Sequence, residues 1–112
     1  MSHRKSLANL AMGVVLICSC AAAPASAAEA VVDQHDLRFS PDSVTIAAGD
    51  TIRFTDTDHI THDITITNPD GTSDDKGMDR YKEDIVVSFT KPGVYQVHCR
   101  IHPTMKMTVT VK

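Results

Sequence analysis

The chain has 112 residues, 42% of them hydrophobic, and its eleven basic and fourteen acidic side chains leave a net charge of −3 at neutral pH. That balance suits one small globular domain and excludes a disordered polyelectrolyte; with no basic stripe, nucleic acid is excluded as a partner. In chain order, Ser2-His3-Arg4-Lys5 reads as a positive n-region, Leu7 to Ala23 as an apolar h-region, and Ala25-Ser26-Ala27 as a small-residue cleavage site. The spacing predicts a signal peptide over 1–27 and a mature domain over 28–112, exported to the periplasm. The apolar run is interrupted by Asn9 and Ser19 and falls short of the about 20 residues a bilayer span needs, so no stable membrane insertion is expected. Ile17-Cys18-Ser19-Cys20 faintly resembles a lipoprotein box that would tether the domain at Cys20.

Beyond the leader the apolar period is two. Val44 and Ile46, Ile52 and Phe54, Ile64 and Ile66, the run Ile85 to Phe89, the run Val94 to Val97 and the run Met107 to Val111 all alternate and are rich in β-branched residues. Turn signals separate them at Ser40-Pro41-Asp42, Ala48-Gly49-Asp50, Asn68-Pro69-Asp70-Gly71 and Lys91-Pro92-Gly93. About seven to eight short strands at this spacing predict an all-β, antiparallel β-sandwich. The polar stretch from Thr72 to Asp84 is expected to be an ordered loop with at most one helical turn.

Removal of the leader takes Cys18 and Cys20 away and leaves Cys99 as the single thiol, so no disulfide can form within the mature domain. The mature domain then carries nine basic against fourteen acidic residues, a net of −5. Cys99 stands in Cys99-Arg100-Ile101-His102-Pro103-Thr104-Met105, which sets a thiolate, an imidazole and a thioether within seven residues. Those are soft-metal donors. With one more histidine they make the two-His, one-Cys set with a weak axial Met that selects copper for one-electron transfer. His62 is favoured as that histidine because it directly precedes the Ile64 and Ile66 alternation; His59 competes for the role. For the axial ligand Met105 and Met107 both stand near the end of the loop. His35, His59 and His98 remain as candidates for additional copper contacts.

These motifs resemble the small cupredoxins, most closely the amicyanin, plastocyanin and pseudoazurin group, over nearly all of residues 31 to 112. The specific part is Cys-x2-His-x2-Met at Cys99, His102 and Met105. It is supported by Gly49-Asp50-Thr51-Ile52-Arg53-Phe54, by His62-Asp63-Ile64, and by Pro92-Gly93-Val94-Tyr95 ahead of the cysteine. The resemblance implies a Greek-key β-sandwich, one type 1 copper ion held by His62, Cys99, His102 and Met105, and outer-sphere electron transfer. It implies no enzymatic step, a monomer, and a redox protein partner such as a c-type cytochrome or a dehydrogenase. Asp63 departs from the family's His-Asn-Val: where Asn braces the cysteine loop, an ionised carboxylate accepts hydrogen bonds and donates none. The alternative function is a periplasmic copper-binding protein for copper homeostasis or resistance.

Overall fold

Alternating apolar side chains bury one face of each strand, and the computed structural model, which describes Gly13 and residues 27–112, closes those faces into two stacked sheets. The described residues form nine strands: β1 (Glu29–His35), β2 (Arg38–Ser40), β3 (Ser43–Ile46), β4 (Thr51–Asp56), β5 (His62–Thr67), β6 (Ser73–Asp79), β7 (Asp84–Ser88), β8 (Gly93–Cys99) and β9 (His102–Val111). One sheet runs β2-β1-β4-β7 and the other β3-β9-β8-β5-β6. Apart from Gly13 and Ala27, the expected signal peptide, Cys20 included, lies outside the described residues. Among those residues no helix is long and apolar enough to cross a membrane.

The all-β sandwich matches the expectation, with two corrections. The sheets are mixed rather than wholly antiparallel, because β1 runs parallel to β4 and β3 parallel to β9. Parallel partners are joined by distant segments, so no local turn signal announces them. The polar stretch expected to be a loop contains β6, an edge strand paired only with β5 and exposed along most of its length. An edge strand with little to bury needs no apolar alternation, and its charged side chains protect the open edge.

Between the sheets, Phe54 meets Phe39 edge-on with ring centroids 6.1 Å apart, and Phe89 meets Tyr95 the same way at 5.1 Å. Tyr95 is buried with its hydroxyl donating to the Lys91 carbonyl at 2.7 Å, which satisfies the one polar atom that this ring brings inside. This aromatic packing leads into β8, whose buried residues Tyr95, Val97 and Cys99 share one face. Gly93 opens that strand at φ 147° with the Pro69 ring packed where a β-carbon would stand.

Candidate metal centre

Strand pairing brings the predicted ligands to one end of the five-stranded sheet. β5 and β8 are antiparallel with Thr65 opposite His98 and Thr67 opposite Gln96, so the first residue of β5, His62, lies at the same end as the last residue of β8, Cys99. The β8–β9 hairpin turns tightly, with Cys99 opposite His102. The next pair is His98 with Lys106, and this register shift leaves Pro103, Thr104 and Met105 outside the ladder. Pro103 has no N–H to give a ladder, so an unpaired place suits it.

Three donor atoms converge there. His62 Nδ1 lies 3.2 Å from His102 Nδ1, and Cys99 Sγ lies 3.4 Å from His102 Nδ1. His62 and Cys99 are fully buried and His102 is partly exposed. The separations suit ligands sharing one ion, since metal–nitrogen bonds of about 2.0 Å and metal–sulfur bonds of about 2.3 Å at near-tetrahedral angles put two nitrogens about 3.3 Å apart and a nitrogen and a sulfur about 3.5 Å apart. Two imidazole nitrogens facing one another beside a thiol also need a proton or a cation between them, as lone pairs alone repel. The residues therefore fit a soft cation.

Met105 is fully buried and ends the unpaired segment, whereas Met107 pairs with Val97, further into the sandwich from Cys99. His98 points away from Cys99 on the opposite face of β8. His59 is exposed and stacks on Tyr81 with centroids 4.0 Å apart. His35 is also exposed and groups with Asp36 and Asp58, not with the Cys99 cluster.

Around the donors the polar contacts are specific. The Asp63 backbone N–H donates to Cys99 Sγ at 3.3 Å, a hydrogen bond that steadies a thiolate. The Asp63 carboxylate answers the concern raised by its replacing Asn. Its Oδ1 accepts from the Thr65 hydroxyl and, at 3.4 Å, from the Arg100 N–H, so the brace on the cysteine turn needs only an acceptor. Burial lifts this carboxyl above its ordinary range; the Thr65 hydroxyl works against the lift and neighbouring Asp75 adds to it. Asp75 in turn holds the Arg100 guanidinium at 2.8 Å.

Sequence reasoning missed Asp58, whose Oδ2 lies 2.8 Å from His62 Nε2. Asp58 is held below the usual carboxylate range although burial alone would raise it, because the Leu37 N–H, His62 and the Asp36 N–H all point at it. Only the spacing of four residues from His62 hints at this contact, and such spacings are common.

Fold and donor set together define a small copper protein of the β-sandwich class. The pattern of the plastocyanin/azurin family of copper-binding proteins matches residues 26–112, and the chain belongs to that family, with one type 1 copper as its metal. It is 32% identical to plastocyanin of Ulva pertusa over 90 residues, covering 71% of this chain and 92% of the relative. It is also 32% identical to amicyanin-alpha of Methylorubrum extorquens over 92 residues, covering 80% of this chain and 76% of the relative. Among solved structures, a reduced amicyanin variant superposes with a TM-score of 0.70 at 24% identity, covering 81% of this chain and 88% of that one. A second reduced amicyanin variant gives 0.69 at 22% identity, covering 75% and 82%.

Proposed function

We propose that this chain is an exported single-electron carrier in which His62, Cys99, His102 and Met105 hold the copper. The observation that carries the reading is the convergence of His62 Nδ1, His102 Nδ1 and Cys99 Sγ within 4.8 Å of one another at the end of one sheet. When bound, copper supplies a one-electron couple. The chain's own residues keep the donors in one arrangement. Two ladders anchor His62 and Cys99, the Asp63 N–H meets the sulfur, and burial excludes water, so little reorganises when charge changes.

His102 is the one partly exposed member of the donor cluster, and exposed Ile101 and Pro103 flank it in sequence. That makes its ring edge the shortest route between the site and a docked redox protein, such as a c-type cytochrome or a dehydrogenase. Removal of residues 1–27 in the periplasm, a monomeric state and the lack of a catalytic step complete the reading. The test is titration of the mature protein with Cu(II), followed by visible and electron paramagnetic resonance spectra. One equivalent with an intense thiolate charge-transfer band is expected, and a colourless complex overturns it.

The second reading, copper handling, draws on His35, Asp36 and Asp58, whose ligand atoms also lie within 4.8 Å of one another. Asp58 is already engaged by two backbone amides and His62, which favours the carrier. Further tight equivalents lost in His35→Ala would favour handling.

A further inference from the structure

We propose that Asp58 is the positioning residue of the metal site: its carboxylate accepts the hydrogen bond donated by the Nε2–H of His62, turns the Nδ1 lone pair toward Cys99 and His102, and ties the ring to the β1–β2 turn. The inference rests on the reading of His62 as a ligand and adds the device that sets its tautomer.

The chemistry follows from what each atom can do. An ionised carboxylate only accepts, so the 2.8 Å contact from Asp58 Oδ2 requires His62 Nε2 to carry the hydrogen. A neutral imidazole has one N–H, and Nδ1 is then left as a lone pair. That nitrogen is the one facing His102 and Cys99. A carboxylate in this place also makes the imidazole a stronger donor, and outer-shell partners of metal-bound histidines commonly change metal affinity by about 10–100-fold.

Asp58 itself has little freedom. Its Oδ1 accepts the Asp36 N–H at 2.8 Å and its Oδ2 the Leu37 N–H at 3.1 Å, while its own N–H donates to Asp56 Oδ1 at 2.8 Å. Asp36 and Leu37 are the central residues of the turn between β1 and β2, with φ of 51° and 59°. Both positive values match the twist of a two-residue hairpin, but an apolar side chain such as Leu37 is uncommon there. Leu37 is exposed, so packing does not explain its backbone. The two amides closing on one carboxylate do. Three donors thus converge on the two oxygens of Asp58, and the side chain is only 12% exposed.

Two measurements test this. In the copper-free wild-type protein, nitrogen-15 spectra of the imidazoles above pH 7.5 are expected to show His62 with its proton on Nε2. A proton on Nδ1 overturns the proposal, and this readout needs no variant that must fold. In the copper-loaded protein, Asp58→Asn removes the negative charge and weakens the donor strength of His62, so the Cu(II)-to-Cu(I) affinity ratio should fall by about tenfold. For one electron that is a potential raised by about 59 mV. An unchanged potential overturns the proposal. Failure of the ligand reading is distinguishable, since a charge-transfer band and potential unaltered in His62→Ala would dismiss His62 whatever Asp58 does.

Discussion

Asp79 closes β6 opposite His62 and is fully buried, and its replacement by Asn should stabilise the copper-free fold at neutral pH. Gln34 donates to Asp79 Oδ2 at 2.8 Å, but Oδ1 has no hydrogen-bond partner, and Asp56 nearby is buried with one oxygen in the same condition. Burial pushes the Asp79 carboxyl up from 3.8 to about 6; the Gln34 amide opposes the rise, and the charges of Asp56, Asp84 and Glu83 add to it. The folded state therefore binds this proton more tightly than the unfolded chain, so stability from the group is full below about pH 4 and is lost as pH rises through about 6. A separation of roughly two pH units corresponds to about 3 kcal/mol. Urea unfolding of wild-type and Asp79→Asn copper-free protein from pH 4 to 8 isolates the effect, because the other titrating groups are common to both. The variant's advantage should grow with pH by up to about 3 kcal/mol and level off above pH 7. A difference that stays constant with pH would refute the reasoning, since any packing change from the amide is itself independent of pH.

Cys99→Ser should abolish the charge-transfer band, because that transition starts on the thiolate, and a variant that keeps its colour would refute the ligand assignment. Met105→Leu should retain copper and shift its potential, whereas Met107→Leu, beside Val97, should leave the potential alone and cost less than about 1.5 kcal/mol in unfolding. The reverse pattern would exchange the axial ligand. Gly93→Ala sets a β-carbon 2.5 Å from Pro69 Cγ at φ 147°, so a loss of about 2–3 kcal/mol in thermal or urea unfolding is expected, and no loss would mean the β8 entrance yields freely.

What the sequence revealed and concealed follows from where each signal is stored. β4, β8 and β9 carry their own alternation, and Cys99, His102 and Met105 sit within one hairpin, so their spacing is legible as a candidate donor set. β1 went unread because its inward positions hold Gln34 as well as Val32, which breaks the apolar period. β6 went unread for a related reason: its buried member is Asp79, and Met78 on the other face is exposed. The role of Asp58 was illegible because it depends on a turn about twenty residues earlier meeting a loop across the sandwich. Polar residues that act across the fold leave no periodic trace.

The polar residues inside the fold gather at one place, and that gathering explains the division of labour in the sandwich. Phe39, Phe54, Phe89 and Tyr95 supply apolar packing, while Gln34, Asp56, Asp58, Asp63 and Asp79 lie on or beside the strand ends that carry His62. Buried carboxylates are poor stabilisers, and three buried polar atoms here, Gln34 Oε1, Asp56 Oδ2 and Asp79 Oδ1, are without partners. Hydrogen bonds have a direction that apolar contacts lack, and a ligand ring must be aimed as well as buried. The metal end thus trades stability of the copper-free fold for orientation, and ion binding to the folded state alone returns stability by linkage. Asp79→Asn and Asp58→Asn should then separate the two costs, the first altering stability with little change in potential and the second altering the potential.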